Sequence, residues 1–152
     1  MRKLIERPGI AGNVKAGNIY GQLGQLVHAL EQKDLPTEVV TLIDNEIENL
    51  NSTSDSNKNF AASVKKTENK IIQLVEKKLK IVPRNYYKKL WFLLGMSAFG
   101  LPLGAAIGLS VENIGLLGIG LPIGMGIGFV FGSSLDQKAL KEGRQLDFEV
   151  KY

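Results

Sequence analysis

Hydrophobic and polar positions are sharply separated along this chain. Residues 90–109 and 114–135 form two runs, of 20 and 22 residues, without a charged side chain. A helix rises about 1.5 Å per residue, so each run is long enough to cross a hydrocarbon core of roughly 30 Å. The interval between them, residues 110–113, leaves room only for a tight turn. The pattern therefore predicts a transmembrane hairpin with spans at 90–109 and 114–135.

The turn contains Glu112, the one ionisable residue between positions 90 and 135. A charge costs roughly 2.5–3.5 kcal/mol at mid-bilayer, so Glu112 is expected in an outer turn at the far membrane face. Lysines and arginines are concentrated at the other ends of both spans, so the positive-inside rule predicts that both termini lie in the cytoplasm. We expect the protein in the cell (inner) membrane. Interfacial anchors are expected just before and at the start of the first span: Tyr86, Tyr87, Lys88, Lys89 and Trp91.

The two spans repeat one another at an offset of 20 residues. Residues 99–110 read FGLPLGAAIGLS and residues 119–130 read IGLPIGMGIGFV, with six of the twelve positions identical. In an antiparallel hairpin that turns near Glu112, residues at equal depth have numbers that add to about 224, twice 112. Pro102 and Pro122 are therefore predicted to lie level, as a layer of loosened backbone. The alternative is that glycine and proline are simply common in membrane helices.

Glycines recur at every fourth position in both spans. Small residues at this spacing form a flat face on which another helix packs closely. The predicted helix-packing glycines are Gly100, Gly104, Gly108, Gly120, Gly124, Gly128 and Gly132. A second packing face is predicted on the opposite side of the second span, at Gly115, Gly118 and Gly126. One face serves the hairpin partner and the other a second copy, which favours a homo-oligomer; alternatively, both faces are used within one hairpin or meet lipid.

The repeated Gly-x-x-x-Gly spacing in residues 90–135 resembles that of glycine-zipper-type two-helix membrane proteins. The resemblance covers about a third of the chain. It implies a mode of helix packing and not a specific role, because proteins with many roles share this spacing.

The charged part of the chain that precedes the spans, residues 1–83, predicts a small cytoplasmic helical domain. Apolar side chains at helical spacing indicate helices near 18–32, 37–50 and 60–82. Such short helices make a thin core, so we expect a small bundle or coiled coil that gains stability from self-association. The hairpin region is assigned to 84–135 and a cytoplasmic tail to 136–152. Apolar and polar residues alternate over 146–152, which predicts that this end of the tail is extended or docks on a partner. The fold class is an all-α membrane protein, a two-helix transmembrane hairpin preceded by this domain.

The composition offers little catalytic chemistry. The absence of cysteine excludes disulfides, thiol nucleophiles and Cys-ligated zinc. His28, the one histidine, lies in an amphipathic stretch and is expected to be solvated or in the core. The sequence has neither a metal-ligand cluster nor a phosphate-binding glycine loop. Its net charge of +4 is mild, and a bilayer explains the lysines at the membrane edge better than nucleic acid does. We therefore predict a non-enzyme without cofactor, metal or nucleic-acid partner.

Two functions fit this organisation. The first is a self-associating integral membrane protein, in its sharpest form a small pore-forming or membrane-perturbing effector controlled by its cytoplasmic helices. The alternative is a membrane-tethered adaptor whose hairpin only anchors, while the helices recruit a cytoplasmic protein partner.

Overall fold

A computed structural model of the protein describes residues 1–10, 13–54 and 59–151. The regular structure over these residues is helical, as predicted. The chain divides into two compact units. The helical unit consists of Met1–Pro83 together with Leu146–Tyr152, and the hairpin unit consists of Arg84–Gln145.

The helical unit contains α1 (Val14–Glu31), α2 (Thr37–Asn51) and α3 (Phe60–Leu79). Helix α1 begins four residues before the predicted start, because the Asn13 side chain accepts a hydrogen bond from the Ala16 N–H at 3.1 Å and caps the helix there. Helix α3 ends three residues before the predicted end. Lys80 adopts a left-handed conformation, with φ 57°, and its N–H donates to the Glu76 carbonyl at 2.9 Å.

The core of the helical unit lies where α3 packs against α1 and α2. Each helix contributes side chains that are fully or almost fully buried, among them Leu23, Leu26, Leu30, Ile43, Ile47, Leu50, Val64, Ile71 and Val75. Burying one such leucine or isoleucine stabilises the fold by about 1.5–3 kcal/mol. The apolar side chains that recur at helical spacing along α3, among them Val64, Ile71 and Val75, therefore belong to the core.

An arginine near the N-terminus closes the end of α2. The Arg7 guanidinium donates hydrogen bonds to the carbonyls of Leu50, Asn51 and Thr53 at 2.9, 3.0 and 2.7 Å. It also lies over the Phe60 ring, 4.7 Å from the ring centroid. Because the last carbonyls of a helix have no donor within the helix, a cation at this position supplies the missing hydrogen bonds and offsets the negative end of the helix dipole.

The prediction that residues 136–152 form a separate tail is wrong, because the segment is divided between the two units. Its first residues continue the second apolar helix to Lys141, where Gly143, with φ 68°, ends it. Its last residues belong to the helical unit, with Leu146, Phe148 and Val150 buried. The Leu146 N–H donates to the Val82 carbonyl at 2.9 Å. The alternation therefore marks an extended segment, and the surface it docks on belongs to this same chain.

The hairpin unit consists of a first apolar helix (Tyr86–Ser110) and a second apolar helix (Ile114–Lys141). Both are longer than the predicted spans. The first changes from α-helix to a wider π turn over Met96–Gly100 and back to α-helix at Leu101. The second opens with a single 3-10 turn, Ile114–Leu116, and is α-helical from Leu117.

Candidate functional site: the helix interface of the hairpin

The two apolar helices contact each other through a row of glycines. All seven predicted packing glycines are buried, and the backbone of one helix touches that of the other. A Cβ added to Gly132 would lie 2.5 Å from the Tyr87 carbonyl oxygen and 2.6 Å from the Lys88 Cα. A Cβ on Gly120 would lie 2.6 Å from the Gly104 Cα. Even a methyl group does not fit along this row without displacing backbone.

The buried glycines of the two helices pair as the position of the turn predicts. Gly120 faces Gly104, and Gly124 faces Gly100, as expected for residues whose numbers add to about 224. Such close approach brings Cα–H groups of one helix near carbonyl oxygens of the other, and each Cα–H···O contact is worth about 0.5–1 kcal/mol. The hairpin is therefore held by backbone contact along its length.

The π turn keeps one further glycine in this row. Gly95 precedes Gly100 by five residues, which in a regular α-helix would rotate it off the interface. In the π turn the Leu101 N–H bonds the Met96 carbonyl, five residues back, and the turn absorbs the extra residue. Gly95 is buried, and a Cβ there would lie 2.9 Å from the Gly128 Cα. The five-residue step just before Pro102 was the signal that could have identified Gly95.

The two prolines do not loosen their helices alike. A helical proline lacks an N–H and collides with the carbonyl four residues earlier. The wider turn lies just before Pro102, whereas the α-helix continues through Pro122. Of the two helices in the predicted layer of loosened backbone, only the first therefore has a widened turn, just before Pro102. Both prolines are exposed on the outside of the hairpin.

The outer turn is a complete helix-ending motif. The Asn113 N–H donates to the Gly108 carbonyl at 2.9 Å and the Glu112 N–H to the Leu109 carbonyl at 3.3 Å. Glu112 is exposed and takes the left-handed position of this motif, with φ 53°. The Asn113 side chain then accepts from the Gly115 N–H at 3.0 Å and starts the second helix.

An aspartate closes the opposite end of the interface. Asp136 is 7% exposed, and its carboxylate accepts the backbone N–H groups of Tyr87 and Lys88 at 3.1 and 2.9 Å. Asn85, at the N-cap of the first helix, has φ 59° and makes no side-chain cap. Asp136 supplies that cap from the other helix. Sequence reasoning placed it in the tail, although it continues the four-residue spacing from Gly132.

The predicted interfacial anchors lie around this same end. The rings of Trp91 and Phe131 are 5.3 Å apart across the two helices, and the Lys88 ammonium lies 5.5 Å from the Phe129 ring centroid. Tyr86 and Tyr87 pack edge to face at 5.2 Å, and Lys89 is half-buried beside them in sequence. Aromatic and basic side chains are thus concentrated at the end of the hairpin that also holds Asp136.

The second predicted packing face is open. Gly115, Gly118 and Gly126 are exposed. A Cβ on Gly118 or Gly126 would meet nothing within 4 Å, and one on Gly115 would meet only the Asn113 side chain, at 3.0 Å. The packing of the two helices within one chain does not use this face.

The outer surface of the hairpin unit carries many exposed apolar side chains. Large side chains such as Leu93, Leu109 and Val130 are 60–76% exposed. In their most apolar stretches only 22% and 17% of the residues of the two helices are buried within the protein. Both helices are long and apolar enough to span a membrane.

Reactive chemistry is sparse in this unit. The hydroxyls of Ser97, Ser110 and Ser134 donate to carbonyls of their own helix, at 3.3, 2.7 and 3.0 Å. Elsewhere, His28 is solvated, 3.9 Å from the Glu31 carboxylate. Within the described residues, His, Asp and Glu side chains form no group suited to a metal ion. The arrangement is one of helix packing. No known protein family, curated protein or solved structure matches this chain.

Proposed function

We propose that this chain is a self-associating integral membrane protein whose hairpins assemble side by side and whose helical unit controls that assembly. The observation that carries the proposal is the division of small residues in the hairpin. The buried glycine row packs between the two helices of one chain, while a second set of small residues is exposed on the hairpin unit, where no described residue of that unit covers it.

The exposure of the apolar helices supports insertion into a bilayer. A soluble protein rarely leaves a contiguous apolar patch larger than a few hundred Å² exposed. A lipid hydrocarbon core would cover Leu93, Leu109 and Val130. The Trp91 ring and the Lys88 ammonium would lie at the membrane interface, where aromatic and basic side chains are favoured.

The composition of the helical unit supports a topology with both termini on one side. Residues before the hairpin and residues after it fold into one unit. That unit forms only if both ends of the hairpin emerge on the same membrane face. The lysines and arginines at those ends favour the cytoplasmic face, and Glu112 would lie at the opposite one.

Each helix offers a row of small residues directed away from its hairpin partner. The first helix presents Ala98, Pro102 and Ala106, and the second presents Gly118, Pro122 and Gly126, all exposed and four residues apart. Each row is offset by two residues, about 200°, from the buried glycines. Small residues at this spacing favour close helix packing in lipid.

The two rows match in depth. Pro102 and Pro122 lie level by the pairing of the buried glycines, and so do Ala106 and Gly118. Because the rows lie on opposite sides of the hairpin, the first row of one copy can pack against the second row of the next. Such a head-to-tail contact generates a ring if the rotation closes and an open chain if it does not.

Assembly is the step by which this protein would perturb a membrane. The serine hydroxyls are engaged within their own helices, so the hairpin offers little to line a permanent water-filled pore. Pro122 has no N–H to donate to the Gly118 carbonyl four residues earlier, and this carbonyl is a polar group that packing between copies would bury or rearrange.

The test is the double variant Gly118→Leu/Gly126→Leu, with Ile119→Phe/Ile127→Phe as the matched control on exposed positions of the same helix. Oligomers would be measured by cross-linking and by sedimentation in lipid nanodiscs or detergent. We expect the glycine variant to be monomeric and the control to assemble like the wild type. Assembly of the glycine variant at wild-type strength would refute self-association through this face.

The adaptor alternative is separated by exchanging residues 84–145 for an unrelated two-helix anchor. Loss of membrane-permeabilising activity in cells supports the assembly proposal. Retention of full activity would show that the hairpin only anchors.

A further inference from the structure

Helix α2 carries acidic side chains and no basic ones. Its four carboxylates are Glu38, Asp44, Glu46 and Glu48. The first and third of these form ion pairs with lysines of α3. The other two lie on a different face of the helix together with Asn51, because Asp44, Glu48 and Asn51 are four and then three residues apart. We refer to these three residues as the acidic face of α2.

Residues 1–5 lie along the acidic face, and Asn51 binds their backbone. The Ile5 N–H donates to the Asn51 side-chain carbonyl at 3.4 Å, and the Asn51 side-chain amide donates to the Lys3 carbonyl at 3.2 Å. The Tyr20 hydroxyl of α1 donates to the Ile5 carbonyl at 2.7 Å. Because all these bonds go to backbone groups, the acidic face and Tyr20 together fit the backbone of a peptide.

The charges of the segment and of the acidic face are complementary. Residues 1–5 contain Arg2 and Lys3 and no acidic side chain. The Arg2 guanidinium forms an ion pair with Glu48, and the Arg2 N–H donates to the Asp44 carboxylate. Both side chains of the ion pair are accessible, Arg2 with 48% and Glu48 with 60% of the side chain exposed. Charge complementarity of this kind selects and orients a partner more than it adds affinity.

The segment is held at the surface of the helical unit and not in its core. None of residues 1–5 is buried, and Ile5 is 46% exposed. The chain is fixed just after the segment, where the Arg7 guanidinium bonds three carbonyls at the end of α2. Segments with few buried apolar contacts and exposed hydrogen bonds open at a lower free energy than the core. Residues 1–5 can therefore leave the acidic face while Arg7 and the helices stay in place.

We propose that the acidic face of α2 binds residues 1–5 of a second copy in exchange for its own. The inference rests on the proposed assembly of the hairpins, which brings the helical units of neighbouring copies together. Five extended residues span at most about 17 Å, so the exchange takes place between adjacent copies.

The exchange preserves every contact of the segment. The same backbone hydrogen bonds and the same Arg2–Glu48 ion pair form within one chain or between two, because every copy carries both the segment and the acidic face. The balance therefore depends on the effective concentration of the neighbour's segment, which is high in an assembly and very low for an isolated chain. Exchanged segments connect neighbouring helical units, and in this way the helical unit strengthens the assembly that the hairpins begin.

The test mixes two full-length chains whose charges have been interchanged. One carries Arg2→Glu opposite its own Glu48, and the other carries Glu48→Arg opposite its own Arg2, so each chain repels its own segment. In the mixture, each segment meets an opposite charge only on the other kind of chain. Amide exchange of residues 2–5 should be fast in each chain alone and should slow at least severalfold on mixing in detergent micelles. Fast exchange that persists in the mixture would overturn the proposal.

Cross-linking identifies the chain on which a segment lies. The sequence contains no cysteine, so introduced cysteines are the only thiols. Lys3→Cys in the Arg2→Glu chain and Ser52→Cys in the other chain replace exposed residues, and the Lys3 carbonyl is bonded to the neighbour of Ser52, Asn51. A short thiol-to-thiol reagent should join the two chains. Glu38→Cys in place of Ser52→Cys, at the opposite end of α2, is the control and should give at least fivefold less product.

Sedimentation of the wild-type chain separates this inference from the proposed function. Assembly of the wild type, without cross-links between the interchanged chains and without slowed amide exchange in their mixture, would overturn the exchange and leave the proposed function standing. Absence of assembly would refute the proposed function, whereas slowed amide exchange and cross-links in the mixture would still support the exchange of residues 1–5.

Discussion

The carboxylate of Asp136 accepts a hydrogen bond from the backbone N–H of Lys88 at 2.9 Å, so the end of the second apolar helix caps the start of the first. Lys88 precedes Asp136 by 48 residues. The bond, together with that from Tyr87, fastens the end of the hairpin that has no connecting turn.

Replacing Asp136 by alanine should weaken this end of the hairpin. Loss of a helix cap costs about 0.5–2 kcal/mol, and here two N–H groups lose their acceptor. The free energy of unfolding, measured by circular dichroism during titration with SDS, should fall by that amount in Asp136→Ala. The value for Asp136→Asn should lie between those of the wild type and Asp136→Ala. Gln137→Ala, at the exposed neighbouring position, is the control. An unchanged unfolding midpoint in Asp136→Ala would contradict the capping role.

Adding one methyl group should distinguish the two glycine faces. Gly132→Ala places a Cβ 2.5 Å from the Tyr87 carbonyl oxygen, and overpacking of this kind costs about 1–3 kcal/mol. Gly126→Ala meets open space and should be neutral or slightly stabilising. The difference should appear in SDS unfolding and in the fluorescence of Trp91, which packs on Phe131. Equal effects of the two substitutions would show that the buried row is not tightly packed.

If the π turn serves only to keep Gly95 on the same helix face as the other buried glycines, a deletion of one residue within it should be tolerated. Deleting Ala98 together with Pro102→Ala restores four-residue spacing between Gly95 and the next glycine, so the hairpin should remain folded. Deleting Leu103 rotates the glycines on one side of the deletion off the interface and should unfold the pair. Both variants are compared by circular dichroism and SDS unfolding. Equal tolerance of the two deletions would show that the π turn is not needed to keep Gly95 in line with the other buried glycines.

Relieving the left-handed residue in the outer turn should stabilise the hairpin. Glu112 has φ 53°, which costs a residue with a side chain about 1–2 kcal/mol relative to glycine. Glu112→Gly should recover about 1 kcal/mol in SDS unfolding, since glycine also gains freedom in the unfolded chain. Glu112→Ala, which keeps the strain, should gain nothing and serves as the control.

Stability of the helical unit should depend on pH through Glu68. Burial raises the pKa of the Glu68 carboxyl, while the Gln22 hydrogen bond and the charge of Lys65 offset part of the increase. A raised pKa means that the folded state binds the proton more tightly than the unfolded state. The penalty is therefore absent below the ordinary glutamate pKa and complete above the raised one.

Glu68→Gln should accordingly become more stable relative to the wild type as pH rises from the ordinary glutamate pKa, about 4, through the raised pKa of Glu68. Thermal unfolding of the full chain at several pH values measures the difference, with Glu6→Gln as the exposed control. Parallel curves for Glu68→Gln and the wild type would show that Glu68 carries no such penalty.

The sequence by itself determined the helical class, the two apolar helices and the pairing of the buried glycines. Each rests on local periodicity: uncharged runs of about 20 residues, a four-residue glycine spacing, and a turn too short to allow any pairing but an antiparallel one. Three helix-sized apolar patterns likewise placed α1, α2 and α3 to within a few residues.

Only the tertiary structure decided the relationships between distant residues. Asp136 is a cap because the glycine row brings the backbone of Tyr87 within its reach, and Gly95 joins the row because a π turn absorbs one residue. Residues 146–151 belong to the helical unit because its three helices leave an apolar surface that Leu146, Phe148 and Val150 bury. Spacing along a chain reveals which face a residue occupies, but only packing determines what lies against that face.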